Sequence, residues 1–134
     1  SIRIRASKEK IWALLTDAAS YPSWNSTIDK LEGSITPGGK LKIFAKVAPG
    51  RGFAANVAQI DAPSRMLWSH SAPLGMFSGE RSFELRDVGA GEVVFHTREE
   101  FGGWMAGMII PRMPDLQPSF DEFASCLKAA AELD

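Results

Sequence analysis

Residues 10–25, "KIWALLTDAASYPSWN", join an amphipathic segment to a turn. Apolar residues recur at helical spacing in the first half, and Ser7 can cap that helix by accepting bonds from free backbone N–H groups. Asp17 is expected to begin a second, very short helix, which Pro22 ends because proline favours extended backbone at the residue before it. The stretch therefore predicts two short helices near the start of the sequence.

Two large rings, Tyr21 and Trp24, flank the proline of this turn. A turn needs residues such as proline or aspartate for backbone reasons, but it does not need aromatic bulk. In one interpretation the rings plug the core where the helices meet a sheet. In the other, one ring lines or gates a cavity. Both interpretations predict that the turn closes over an apolar interior.

Strand patterns occupy residues 28–101, where apolar and polar residues alternate between short turn signals. The turn signals include "TPGG" at 36–39, "APSR" at 62–65 and "GAG" at 89–91, the last typical of a tight hairpin. This spacing predicts about six antiparallel strands in one curved meander. Residues 2–5 alternate in the same way and predict one further strand at the start.

The end of the chain is helical. Its apolar stripe consists of Leu116, Phe120, Phe123, Leu127 and Ala130. Ser119 and Glu122 have the form of a capping box, although Asp115 could equally cap a slightly longer helix. The order of elements predicts an α+β fold, in which a curved antiparallel sheet of about six to seven strands wraps around the long C-terminal helix. A curved sheet that grips a helix leaves room for a pocket between them.

Composition excludes several classes of function. The 134 residues are 45% apolar and 23% charged, which is typical of a globular protein, and we expect one domain over 1–134. The net charge of −1 gives no bias toward nucleic acid. The single Cys126 excludes an internal disulfide and fits a reducing cytoplasm, where we expect the protein as a monomer or homodimer. No metal-binding, dinucleotide or P-loop motif occurs, so we expect no cofactor and no metal. The longest apolar run, at 104–111, is far shorter than the about 20 residues of a membrane span.

Four segments in this order resemble the START-like, or SRPBCC, superfamily, and in particular its polyketide cyclase/dehydrase branch. They are residues 10–25, "DAPSRMLWSH" at 61–70, "GERSFELRDVGAGEVVFHTREEFGG" at 79–103 and "FDEFASCLKAAAE" at 120–132. The resemblance covers essentially the whole chain. It implies the helix-grip fold of the Bet v 1 relatives, with a hydrophobic cavity between sheet and helix. It implies no single reaction, because the superfamily includes carriers, cyclases and chaperone activators.

Candidate site residues follow from strand alternation and from the aromatic segments. His70 shares a strand face with Trp68 and is the best candidate for general acid–base chemistry, although a structural role is the alternative. Catalytic candidates are limited to His70 and Glu99. The residues expected to contact a ligand are Trp24, Trp68, His70, Arg81, Phe83, Phe95, Phe101, Trp104, Met108 and Phe123.

Two charged residues occupy strand positions whose alternation predicts that they face inward. Arg81 alternates in phase with Phe83, and Glu99 with Phe95. If both faces point inward, the two charges could pair in or at the rim of the cavity and orient a polar group of a ligand. The alternative is that they are solvated charges at the sheet edge, since a single bulge reverses the parity.

The segment "GGWMAGMII" at 102–110 places Trp104 and Met108 beside glycines. Methionine adapts to irregular shapes, which suits a lid over a variable ligand. A core segment or a dimer contact is the alternative. The segment thus adds its two side chains to the candidate ligand contacts.

Three functions are consistent with these observations. The favoured one is non-catalytic binding of a small hydrophobic molecule, such as a lipid, an isoprenoid or an aromatic, polyketide-like metabolite. The second is a cyclase/dehydrase-like enzyme that moves protons with His70 or Glu99. The third is a protein-interaction domain of the chaperone-activator type, which would use the exposed apolar loops.

Overall fold

A computed structural model describes residues 1–46, 50, 52–71, 73–109, 111 and 117–133. The strands are β1 (Ile2–Ile4), β2 (Ile28–Gly33), β3 (Lys40–Ala45), β4 (Gly52–Asp61), β5 (Arg65–Ser71), β6 (Ser78–Gly89) and β7 (Glu92–Gly102). The α-helices are α1 (Lys8–Thr16), α2 (Tyr21–Trp24), α3 (Ala106–Ile109) and α4 (Gln117–Ala131), and short 3-10 turns occupy Ala18–Ser20 and Pro73–Gly75. Leu116 and Asp115 lie outside the described residues.

The seven strands form one antiparallel sheet in the order β1-β7-β6-β5-β4-β3-β2. Consecutive strands from β2 to β7 are neighbours, so the sheet is the predicted meander, and β1 adds to its outer edge beside β7. The sheet is curved and α4 packs against its concave face. The predicted helix-grip fold is confirmed.

Near the start of the chain, the predicted N-cap at Ser7 is confirmed, but the predicted helix end at Pro22 is not. The Ser7 hydroxyl accepts a hydrogen bond from Lys10 N at 3.2 Å, which caps α1. Pro22 does not end the next helix but lies in the first turn of α2, and Tyr21 before it has helical backbone. The prediction of a stop was wrong because proline lacks only an N–H group that the first turn leaves free in any case.

The helix α4 begins earlier than a capping box at Ser119 requires. Gln117 is its first residue, so that Ser119 lies inside the first turn and that prediction is corrected. Pro118 occupies the first turn, where it costs no backbone bond. The apolar stripe of α4 buries Phe123, Leu127 and Ala131, which fixes this face against the sheet.

Candidate functional site

Strand register brings the predicted polar residues to one face of the sheet. Arg81 on β6 lies opposite Trp68 on β5 and opposite Glu99 on β7. Phe83, two residues further along β6, contacts the Phe123 ring of α4 at 6.0 Å between centroids, which shows that this face is the concave one. The shared inward parity of Arg81 and Phe83 is therefore confirmed.

Aromatic rings fill the concave face around Phe123. Its neighbours within 6.1 Å between ring centroids are Tyr21, Trp24, Phe83 and Phe95. Trp68 joins the same cluster through Phe83 at 4.6 Å and Tyr21 at 6.3 Å. The large rings of the "YPSW" turn thus belong to the interior that the turn closes.

Tyr21 is fully buried, and its hydroxyl donates a hydrogen bond to Leu15 O at 2.5 Å. Burial raises the pKa of this phenol above its usual range, and the positive charge of Arg81 offsets only part of that rise. Tyr21 therefore acts as a neutral, hydrogen-bonded plug of the core. Trp24, at the end of the same helix, is only half-buried.

The Arg81 guanidinium is enclosed by rings. Its Cζ atom lies 4.9 Å from the ring centroid of Phe83, 4.4 Å from that of Phe120 and 4.6 Å from that of Phe123. Its Nε donates to Thr97 Oγ1 at 3.2 Å. Burial lowers the pKa of Arg81 to about 10, against the opposing effects of Glu99 and Tyr21, so that the group remains a cation at neutral pH.

Glu99 pairs with His70 rather than with Arg81. The Glu99 Oε1 and His70 Nε2 atoms are 3.1 Å apart, and the two side chains are 12% and 37% exposed. Because a carboxylate only accepts hydrogen bonds, this contact places a proton on Nε2 and leaves Nδ1 of a neutral ring free to accept one. A carboxylate that orients an imidazole in this way is a common arrangement for proton transfer.

Gly79 makes room for the histidine. It lies opposite His70 in the β5–β6 register, and a Cβ atom added to it would lie 2.3 Å from His70 Nε2. Any larger residue would displace the ring that Glu99 holds. The glycine is thus part of the geometry of the pair, and sequence analysis did not single it out.

Three buried N–H groups of this interior have no hydrogen-bond partner among the described residues. They are Trp24 Nε1, Trp68 Nε1 and Arg81 Nη2, and we call them the three unpaired donors. A buried donor without an acceptor loses its bond to water and gains nothing in return. All three residues are among the predicted ligand contacts, but strand alternation does not indicate whether a side-chain atom is hydrogen-bonded.

A cavity of about 190 Å³ lies between the β1–β7 edge of the sheet and α4. Its lining consists of Ser1, Ile2, Phe95, Thr97, Gln117, Phe120, Asp121, Ala124 and Ser125. Thr97 and Phe120 also contact Arg81, so the guanidinium lies directly behind the cavity wall. Thr97 and Phe120 were not among the predicted contacts, although each shares a strand face or a helix stripe with a residue that was.

The remaining predicted contacts lie away from the ring cluster. Phe101 is half-buried and stacks on Phe77 at 5.5 Å, whereas Trp104 and Met108 are 72% and 57% exposed. Their segment is joined to the β5–β6 connection by a hydrogen bond from Met105 N to Met76 O at 2.8 Å. The structure thus places Trp104 and Met108 on the surface.

No group of three or more His, Cys, Asp or Glu residues able to hold a metal ion occurs within the described ranges. Cys126 is half-buried in α4, with its Sγ 3.4 Å from Ser26 Oγ. Among the helices that the structure describes, none has the length and apolar character needed to cross a membrane.

Comparison with known families identifies the chain. Residues 1–132 match the family described as "Polyketide cyclase / dehydrase and lipid transport". The chain belongs to this family. No curated protein sequence is significantly similar to it.

Solved structures of the same fold include members with several roles. A START superfamily protein from Mycobacterium smegmatis superposes with a TM-score of 0.69 at 17% identity, covering 98% of this chain and 93% of that one. Truncated norcoclaurine synthase from Thalictrum flavum gives 0.71 at 15% identity, covering 99% and 91%. The di-domain ARO/CYC StfQ from the steffimycin biosynthetic pathway gives 0.69 at 14% identity, covering 98% of this chain and 43% of that one. At these identities the likeness establishes the fold alone.

Proposed function

We propose that this protein binds a small, mainly apolar molecule between the sheet and α4. The observation that carries the proposal is the open cavity of about 190 Å³ between the sheet edge and α4, in which the apolar residues Ile2, Phe95, Phe120 and Ala124 form the inner wall and polar residues such as Asp121 form the rim. A cavity of about 150 Å³ lined by apolar side chains holds a benzene molecule, whereas drug-sized ligands occupy about 300 to 1,000 Å³. The cavity as it stands therefore suits a ligand of one or two rings, or a short aliphatic chain.

A longer ligand would reach further into the interior by displacing Phe120. This ring separates the cavity from Arg81, and it lies in the first turn of α4, where it is only half-buried. Behind it lie the proposed apolar contacts Trp24, Trp68, Phe83 and Phe123. His70, Arg81 and Glu99 are the proposed polar contacts. Phe101, Trp104 and Met108 would cover a ligand that extends to the surface.

The comparisons support a ligand-binding role. The family description names lipid transport beside polyketide cyclase and dehydrase, and one structure of the same fold is an ARO/CYC protein from a biosynthetic pathway. Lipid transport, in particular, requires a protein that holds an apolar molecule. The proposal assigns the same general role to this chain.

Native mass spectrometry with a cavity-filling variant tests the proposal. Protein purified gently from its own host is expected to carry a discrete extra mass, which solvent extraction then identifies. Ala124→Phe fills the cavity and should abolish the extra mass. Ala129→Phe, on the exposed side of the same helix, should retain it. A clean apo mass, with no shift across a panel of fatty acids, isoprenoids and polyphenols, would contradict the proposal and favour partner binding through the exposed loop residues.

A second candidate, an enzyme of the cyclase/dehydrase type, is favoured by the His70–Glu99 pair. The pair combines a proton donor and acceptor 3.1 Å apart at the edge of the ring cluster. Positioning a reactive chain contributes several kcal/mol to such reactions, so that few catalytic groups are needed.

Variants of His70 and Glu99, with a control variant at His96, separate the two candidates. The molecule that extraction identifies is used as the substrate. His70→Gln and Glu99→Gln should abolish turnover, whereas most of the affinity should remain because each amide keeps a polar contact and the apolar contacts are unchanged. His96→Gln is the control, because His96 bonds to Ser1 Oγ at 2.8 Å and has no part in the pair. Turnover that survives both substitutions would exclude the pair as the catalytic groups.

A further inference from the structure

Among the described residues, the buried side-chain atoms that lack a hydrogen-bond partner are donors and not acceptors. Four buried side-chain atoms lack a hydrogen-bond partner within the described part of the chain, and all four are N–H donors. Three of them are the unpaired donors of Trp24, Trp68 and Arg81, and the fourth is Asn25 Nδ2. Native interiors satisfy the great majority of such atoms, so this one-sided excess requires an explanation.

The three unpaired donors belong to side chains that pack around the same two rings. The Trp24 and Trp68 rings lie 4.9 Å and 6.3 Å from Tyr21. Arg81 Cζ and the Trp24 ring lie 4.6 Å and 5.7 Å from Phe123. Arg81 is also the direct cross-strand neighbour of Trp68. The donors are therefore features of one region rather than three unrelated defects.

The positive charge in this region is not neutralised by a direct ion pair. Arg81 forms no ion pair within 4.0 Å among the described residues, and Glu99, its cross-strand neighbour, bonds to His70. Three rings surround the guanidinium and supply attraction to a cation but no hydrogen-bond acceptor. A buried cation with a free N–H group attracts an anion that carries acceptor oxygens.

We propose that the ligand carries a carboxylate, and that Arg81 Nη2 binds it together with the Trp68 indole N–H. The inference rests on the proposed function, since it names the polar group of a ligand that enters from the cavity and displaces Phe120, the ring between the cavity and Arg81. A carboxylate brings only acceptors and one negative charge, which match a cation and neighbouring donors. An alcohol or amide would bring a further donor into a region that already has too many, and an ester would bring no charge.

A paired-ligand titration tests this assignment. Wild-type protein is titrated at pH 7 with 2-naphthoate and methyl 2-naphthoate, and in parallel with octanoate and 1-octanol. Each acid should bind at least about tenfold more tightly than its neutral partner, as expected for a hydrogen bond between charged groups. Comparison of the two pairs shows whether the carboxylate belongs to an aromatic or an aliphatic ligand.

Two arginine variants locate the effect. Arg81→Met should bring the acid and the neutral compound of each pair to similar affinity. Arg98→Met is the matched control, because Arg98 is exposed on β7 and pairs with Glu100, so the preference for acids should persist. Trp68→Phe keeps a ring but removes one donor, and it should reduce the preference severalfold. It also provides a test if Arg81→Met fails to fold.

The outcomes distinguish the inference from the function on which it rests. If neutral and charged partners bind equally well to the wild type, the carboxylate assignment is wrong and the ligand-binding function stands. A preference for acids that survives Arg81→Met and Trp68→Phe would also overturn it. If none of the four compounds binds, both the function and this inference are contradicted.

Discussion

The two ends of α4 differ in how completely the polar groups around them are hydrogen-bonded. At the C-terminal end, Lys128 Nζ donates to Arg3 O at 2.8 Å and Arg5 N donates to Glu132 Oε2 at 2.9 Å. At the N-terminal end, Phe120 and Phe123 pack on Arg81, whose Nη2 has no partner in the part of the chain that the structure describes. The polar groups named at the C-terminal end are hydrogen-bonded, whereas the N-terminal end contains an unpaired donor among the described residues.

The side chains around the two ends differ in the same way. Toward the C-terminal end, α4 packs on β1 and α1, which contribute the fully buried aliphatic residues Ile4, Ile11 and Leu15. Toward the N-terminal end its neighbours are aromatic and charged. Under the proposed function, the C-terminal half of α4 serves stability and the N-terminal half serves binding, so that substitutions in each half should have separable effects.

The largest effect on stability is expected at the C-terminal end of α4. Leu127→Ala removes a fully buried side chain from α4 and should lower the free energy of unfolding by about 2 to 5 kcal/mol. Urea denaturation of the variant and the wild type measures this. A loss below about 1 kcal/mol would mean that this end repacks easily, and the contrast between the two ends would be lost.

Tyr21→Phe should destabilise the protein at neutral pH, and this loss should shrink and then reverse in sign as pH rises above about 10. Loss of the bond to Leu15 O should cost about 1 kcal/mol at pH 7. Because burial raises the folded-state pKa of Tyr21, its contribution is complete below the unfolded value of about 10 and is lost as pH rises above it. The stability of the wild type relative to the variant should therefore fall by about 1.4 kcal/mol per pH unit above pH 10.

The measurement is urea denaturation of both proteins between pH 8 and 11. Arg81 contributes with the opposite sign in this window, since burial lowers its pKa to about 10 and its loss of charge favours the folded state as pH rises. That contribution is present in both proteins and cancels in their difference, apart from the small change in the pKa of Arg81 that follows from removing the Tyr21 hydroxyl. A difference that stays constant up to pH 11 would show that Tyr21 ionises as easily in the folded state as in the unfolded chain.

Gly79→Ala should displace His70 from Glu99 at a cost of about 1 kcal/mol, because a side chain rather than the backbone must move. The ring resonances of His70 in NMR spectra should shift, and those of His96 should not. Gly107→Ala is the matched control, since a Cβ atom there meets nothing within 4 Å. Unchanged His70 resonances in the Gly79 variant would show that the glycine does not position the pair.

The smallest expected effect is at the surface beyond the ring cluster. Trp104→Ser replaces a side chain that is 72% exposed and should change the free energy of unfolding by less than about 0.5 kcal/mol. Any change in affinity for 2-naphthoate would then come from contact with the ligand. A destabilisation above about 1 kcal/mol would instead place this tryptophan in the core.

Much of the site geometry could be predicted from the sequence because strand alternation is a strong constraint. Arg81 and Phe83 share a face with Trp68 as their spacing indicates, and the "GAG" turn at 89–91 joins β6 to β7 in the matching register. The prediction that a helix ends at Pro22 was wrong because proline is accepted in the first turn of a helix as readily as it ends one.

The partners of the polar side chains could not be predicted. Alternation places Arg81 opposite Glu99, but the bond from His70 to Glu99 depends on side-chain length and on the space above Gly79. The three unpaired donors depend on atomic contacts that no residue pattern encodes. The exposure of Trp104 depends on how its segment joins the β5–β6 connection.

The indole N–H signals in ¹⁵N NMR spectra test most directly whether a ligand binds within the interior gripped by the sheet and α4. The chain has four tryptophans, and Trp12 on α1 serves as the internal control. Addition of 2-naphthoate should shift the indole signals of Trp24 and Trp68 and leave that of Trp12 unchanged. Shifts confined to the exposed Trp104, or no shift at saturating ligand, would contradict binding between the sheet and α4.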